Sequence, residues 1–184
     1  MKQALFGVVF TAALSALALL VPGVAAAADN ATIDKEVKTA LGALYEKEPG
    51  AKALGEKAKA ILMFPTVRKA GLIVGGQYGE GALLKKGKNA GYYTTTALSI
   101  GLEAGAQAFG YALFFMTDEA LTKFEKADGF EIGAEANVVF VDSGAAAGAG
   151  NTTGTAPGYG FVVGQKGLMA GGRPQGTQAR QHEA

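Results

Sequence analysis

The sequence predicts an α+β domain: a strongly coiled antiparallel sheet, barrel-like, with N-terminal helices and one short helix packed on it. Three observations lead there. After Asp29, apolar residues recur at helical spacing, the pattern of helices packed by one face. From Ala60 onwards they alternate or run continuously in short stretches, as in half-buried and fully buried strands. Finally Gly75, Gly76, Gly79 and Gly81 fall within seven residues. Glycines that dense inside a strand call for bulges, a bend or close backbone approach, as at a barrel corner.

In chain order, residues 1–28 read as a secretory leader. Lys2 supplies a positive start, Ala4 to Val21 an apolar run, Pro22-Gly23 its end, and Ala26-Ala27-Ala28 before Asp29 an A-x-A cleavage pattern. Asp29 to Lys47 predicts a helix with Ile33, Val37, Ala40, Leu41, Leu44 and Tyr45 on one face, capped by Asn30 or Thr32. Its polar face mixes acids with Lys35, Lys38 and Lys47, which favours core packing over a basic membrane-surface helix. Pro49-Gly50 ends it, and Pro49 opens a second helix with Ala51, Leu54, Ala58 and Leu62 as its apolar stripe.

Ala60 to Phe64 is a short apolar strand closed by Pro65, which cannot donate to a sheet ladder. Gly71 to Tyr78 alternates as a half-buried strand, and Ala82 to Lys86 predicts its returning partner, with a turn at Gly87-Lys88-Asn89. Ala97 to Met116 is a mostly apolar run of twenty residues with Gly101 and Gly105 at GxxxG spacing. A membrane helix is the wrong reading, because Glu103 sits mid-run at a cost of about 2.5–3.5 kcal/mol and three glycines lower the helix propensity. The run predicts two strands, around Ile100 to Gln107 and Tyr111 to Met116, with a turn or bend at Ala108 to Gly110. A short helix follows over Asp118 to Lys126, capped by Asp118, with Ala120, Leu121 and Phe124 inward. Asn137 to Val141 is a strand, Ser143 to Gly160 a mobile loop of Gly, Ala and Thr, and Phe161 to Gly171 a last hairpin around Gln165-Lys166. Residues 173–184 read as a disordered polar tail.

Several stretches carry a resemblance. AKAILMFPTVRKAGLIVGGQYGEGALL (Ala58 to Leu84), AGYYTTTALSIGLEAGAQAFGYALFFMTDEAL (Ala90 to Leu121) and GQKGLMAG (Gly164 to Gly171) stand in order, and the similarity runs from about Ile33 to Gly172. The chain resembles the SYLF domain family, a lipid-binding domain whose fungal members are described as actin-binding. The resemblance implies one SYLF-like domain over residues 29–172, no enzymatic activity, and phospholipid binding of the phosphatidylinositol type found in eukaryotic relatives. Two places depart from the family pattern: the glycine-rich loop Ser143 to Gly160, and the end, where Gly171-Gly172-Arg173-Pro174 interrupts the expected final strand.

Composition narrows the chemistry. Without cysteine there is no disulfide, thiolate metal site or thiol-linked lipid anchor, and His182 is the single histidine, so no Ser-His or Cys-His catalytic pair can form. The glycine cluster lacks the Lys-Ser/Thr of a phosphate-binding loop. No cofactor or metal is expected. Leader removal takes away Lys2 and no acid, so 17 basic residues become 16 against 16 acidic ones, a neutral chain unlike a nucleic-acid binder. Carboxylate acid–base chemistry would have to draw on Glu80, Glu103, Glu131, Glu135 and Asp142.

The cations near the glycine hairpin are the stronger candidates. If Ala82 to Lys86 folds back, Arg68, Lys69, Lys85, Lys86 and Lys88 converge on one rim that attracts anionic phospholipid headgroups. The expectation is therefore an exported, non-enzymatic lipid-binding protein of the periplasm or cell envelope. The alternative is an envelope structural or protein-interaction module without a lipid ligand, its protein partner held through the Ser143 to Gly160 loop.

Overall fold

The computed structural model describes residues 28–71, 74–100, 105–127, 130–132, 138–141, 156–167 and 177–181. Two helices come first, α1 (Asn30–Lys47) and α2 (Pro49–Lys57). Four long strands follow: β1 (Ala60–Gly71), β2 (Val74–Lys85), β3 (Lys88–Ile100) and β4 (Gly105–Phe115). Then come α3 (Asp118–Lys126), β5 (Phe130–Ile132), β6 (Val138–Val141), β7 (Gly158–Gly167) and β8 (Thr177–Gln181). The eight strands form one sheet in the order β5-β8-β3-β2-β1-β4-β7-β6. Every pairing is antiparallel except β6 with β7, so the sheet is mixed and not purely antiparallel.

The helix signals were legible, though their caps were not. Asp29, in extended conformation, caps α1 by accepting from Thr32 N, in place of Asn30 or Thr32. Thr117 caps α3 by accepting from Ala120 N, which leaves Asp118 in the first turn against the helix dipole. Pro49 opens α2 as expected, but α2 ends at Lys57, and Leu62 belongs to β1 rather than to the helix stripe.

The sheet buries both faces. On one, Leu62, Phe64, Val67, Leu83, Tyr93, Phe109, Tyr111, Leu113 and Phe115 pack with Leu121 and Phe124 of α3. Ring centroids there lie 5.0 Å apart for Phe64–Tyr111 and 4.9 Å for Tyr93–Phe124. On the other, Ile61, Met63, Ala82, Leu84, Ala112, Phe114, Tyr159 and Phe161 pack under Ile33, Val37 and Leu44 of α1 and Ala51 and Leu54 of α2. This explains the unbroken apolar runs Ala60 to Phe64 and Tyr111 to Phe115, in which successive side chains feed alternate cores.

The sheet is strongly coiled, and chain length requires it. β5 and β6 are the two edges, yet Ile132 and Val138 are six residues apart, a reach of about 21 Å at ~3.5 Å per residue. Laid flat, the seven interstrand spacings would separate them by about 34 Å. The face carrying α3 gathers Phe140 of β6 and Ala179 of β8 into one core, so it is the concave side. No pairing joins β5 to β6 among the described residues, so the sheet is open there and the expected barrel closure is not seen.

Four sequence expectations are corrected. Pro65 does not end its strand: β1 continues to Gly71, and its pairings with β2 and with β4 both shift register around Pro65. The shift is a bulge, the one place where a central strand tolerates a residue without an N–H. The bulged backbone presses on both neighbours. A Cβ at Gly110 of β4 would stand 2.6 Å from Pro65 O, one at Gly79 of β2 2.9 Å from Thr66 O, and one at Gly81 against Met63 O. Glycine at these positions therefore permits close approach, and β4 runs straight through Ala108 to Gly110 with no turn. β7 likewise passes through Gln165-Lys166 as one strand, absorbing a register shift near Gly164, whose φ is +61°. Finally, Thr177–Gln181 is no disordered tail but strand β8, paired between β3 and β5. Strand β5 and the N-terminal part of β3 had no counterpart in the sequence reading. Residues 1–27 and most of the glycine-rich loop, 143–155, lie outside the described residues, and Gly158 to Gly160, expected in that loop, open β7 instead.

These contacts set opposite signs for two glycine substitutions. Gly110→Ala should destabilise by about 1–3 kcal/mol, because backbone oxygens cannot move aside. Gly42→Ala, on the exposed side of α1 with open space around the new methyl, should stabilise by about 0.8–1 kcal/mol. Paired denaturant titrations check both, and equal effects would refute the bulge account.

Candidate functional site

The five candidate cations do not share a rim. Arg68 pairs with Tyr78 and Lys69 with Gln77, while Lys85 pairs with Lys88 across the next hairpin. Lys85 stands seven residues beyond Tyr78 on β2, about 23 Å at ~3.3 Å per residue. The expected fold-back at Ala82 to Lys86 is absent. Leu83 and Leu84 instead extend β2, each feeding one of the two cores. The turn comes only at Lys86-Gly87, with φ of 50° and 75°, the two positive values of a type I′ hairpin.

At the β2–β3 end the turn carries three lysines in four residues, Lys85 to Lys88. Lys85 Nζ lies 2.6 Å from Glu125 Oε1 of α3. Asn89 Nδ2 donates to Asp34 Oδ1 of α1 at 2.6 Å, and Asn89 Oδ1 accepts from Gly91 N at 2.8 Å, which holds the start of β3 against α1. Lys86 and Lys88 are exposed and have no partner among the described residues. Lys86 is the one described non-glycine residue with positive φ. That conformation costs an L-residue roughly 1–2 kcal/mol.

At the other end, Arg68 is exposed on the convex face beside Tyr78, itself 44% exposed. Tyr78 OH donates to Glu80 Oε1 at 3.0 Å, and Ala28 N donates to Glu80 Oε2 at 3.0 Å. Burial first, then the Glu80 carboxylate, hold the Tyr78 phenol above its ordinary pKa. Lys69 is half-buried and shares a register row with Gln77 and the buried Gln107. Sequence reasoning passed over Tyr78 and Ala28; the alternation that put Tyr78 and Glu80 on one face was the available signal.

Among the described residues the concave face carries a buried, largely aromatic core. Its buried polar pair is Tyr111 OH donating to Thr95 Oγ1 at 2.6 Å. Burial drives the Tyr111 phenol far above its ordinary range, with the Thr95 bond partly opposing the shift. The shallow depression along α3 is lined by Asp118, Glu119, Lys123 and Lys126, of which Asp118 pairs with Lys59 at 3.1 Å and Glu119 with Lys123 at 3.0 Å.

Among the expected acids, Glu103, Glu135 and Asp142 lie outside the described residues, as does His182. Glu80 and Glu131 stand on strands separated by β3 and β8, about 14 Å apart along the sheet at ~4.8 Å per strand. Among the described residues no group of side chains could hold a metal ion, and no helix is long and apolar enough to cross a membrane.

Two substitutions read the turn directly. Lys86→Gly should raise the Tm slightly, since it relieves left-handed strain against a smaller entropic loss. Lys86→Val should lower it, because a branched side chain resists positive φ. A third reads the interior. Tyr111→Phe leaves the dry Thr95 hydroxyl unpaired, at about 1–3 kcal/mol. Because the folded phenol titrates above the unfolded one, its contribution is whole below pH ~10 and is lost as pH rises further. Alkaline unfolding of Tyr111→Phe should therefore be less steep, measured by urea midpoints across that range.

Comparison with known proteins bears on the second half of the chain. No curated protein matches it significantly. Residues 96–184 match the family model Ysc84, described as Las17-binding protein actin regulator. The matched span runs from the middle of β3 through β8, and so includes the strand Thr177–Gln181. Over residues 96–184 the chain thus matches the Ysc84 (SYLF) family.

Proposed function

We propose that this domain binds anionic phospholipid headgroups at a cell-envelope membrane, without catalysing a reaction, and that the β2–β3 turn is its contact. The observation that carries this reading is Lys86. A lysine held in a left-handed turn, where asparagine or glycine would be cheaper, is the kind of local strain that accompanies function. Lys88 projects from the same hairpin, and neither has a carboxylate partner among the described residues. Near an anionic surface the two contribute about 2 kcal/mol, roughly thirtyfold in affinity. Lys85 is already engaged by Glu125 and serves the packing of α3 more than the ligand. Arg68 beside the exposed Tyr78 forms a separate amphipathic point at the far end of β2, suited to a membrane interface but not to the same headgroup. The protein in this reading is exported and acts at the periplasmic or outer surface after its leader is removed.

A protein-interaction module is the second reading, favoured by the family description, which names a protein as what its members bind. Co-sedimentation with neutral and anionic vesicles at two salt concentrations separates the two. Lys86/Lys88→Ala should lose most binding to anionic vesicles, and binding to the intact turn should fall with salt. Arg68→Ala should retain it. Equal binding by all three proteins would move the site away from the turn, and no binding to any vesicle would favour the protein-interaction reading.

A further inference from the structure

The contact between Ala28 and Glu80 lies on the Arg68–Tyr78 side of β2 and takes no part in the lysine turn. It joins the first described residue to the middle of the sheet. Ala28 N donates to Glu80 Oε2 at 3.0 Å in a part-buried site, and the other carboxylate oxygen is held by Tyr78 OH at 3.0 Å. The Ala28 side chain packs against the convex core. Asp29, the next residue, is fixed as the cap of α1. Residue 28 is thus part of the folded domain and not of a leader that ends before Asp29.

From this we infer that Glu80 is the receptor for the processed amino terminus of this chain, and that leader cleavage falls between Ala27 and Ala28. The inference rests on the leader reading and is independent of the lipid reading. The small-residue rule cannot choose the bond, because Ala26 and Ala28 satisfy it for cleavage before Asp29 and Ala25 and Ala27 satisfy it one residue earlier. The contact can. Cleavage before Asp29 would remove Ala28 and strip Glu80 of a half-buried donor. Cleavage before Ala28 keeps the donor atom and charges it.

The chemistry is peptide hydrolysis by the export peptidase. Water adds to the Ala27 carbonyl, the C–N bond breaks, Ala27 departs with the water oxygen as the new carboxylate, and Ala28 N takes up both protons of the water to become an ammonium. An amide N–H donating to a carboxylate becomes an ammonium–carboxylate pair at the same atoms, with charge on both partners. The start of α1 opposes a positive charge through its dipole. The Glu80 carboxylate at the nitrogen offsets this. Processing would then pin α1 to β2 by a bond that the precursor can make only in weaker form.

The test begins with the full chain in a bacterial host that exports it, followed by N-terminal sequencing and intact mass of the product. A product starting at Ala28 is expected. One starting at Asp29, or an unprocessed chain, overturns the inference. Glu80→Gln is then placed in two mature forms, starting at Ala28 and at Asp29. The Tm should fall in the first and stay nearly unchanged in the second, and an equal fall in both overturns the role of Glu80. Acylation of the α-amino group near neutral pH gives a second readout on the folded Ala28 form. It should be slower in the wild type than in Glu80→Gln, and equal rates count against the ion pair.

Discussion

The first part of strand β1, Ala60 to Phe64, is enclosed on every side, and the rest of the domain is arranged around that fact. β2 and β4 bond its two edges, α1 and α2 cover one face, and the aromatic core under α3 covers the other. Into this strand the chain puts a proline. A missing N–H in a central strand is tolerable only if the ladder steps around it, and both ladders do so at Pro65. The step pushes carbonyl oxygens toward β2 and β4, which is why Gly79, Gly81 and Gly110 stand opposite it. With side chains absent there, the sheet can bend sharply enough to bring its edges within reach of a short connection.

The same bulge decides where the charges go. Because the glycines serve close approach and curvature, β2 does not reverse at Ala82 but continues to Lys85. Arg68, paired with Tyr78 of β2, and Lys86, in the turn that follows β2, consequently stand far apart along that strand, and a single convergent anion site becomes two unlike ends. One is a lysine turn tied to α1 and α3 through Asp34 and Glu125. The other is an arginine beside an exposed tyrosine. Between these ends the described core is apolar and aromatic.

Much of this was readable from residue order alone. Helical spacing of Ile33, Val37 and Leu44, Pro49 at a helix start, and the continuous run Tyr111 to Phe115 each specify their element, because each is a local property of side-chain periodicity. The ordered motifs through Ala58 to Leu121 pointed to the family, and the coil of the sheet followed from glycine density. The lysine turn was visible as well, displaced by one residue to Lys86-Gly87, both of which take positive φ.

What sequence alone could not decide was non-local. Whether Pro65 ends a strand or sits in a bulge depends on two partners that are far apart in the chain, β2 and β4, accepting the shift together. Whether Thr177–Gln181 frays or pairs depends on β3 and β5 offering a slot, since nothing in those polar residues signals a strand. The placement of Glu80 under Ala28 required α1 to lie along β2. Local patterns specify elements because the energies involved are local, whereas register, bulges and the meeting of distant charges are settled by how the elements pack.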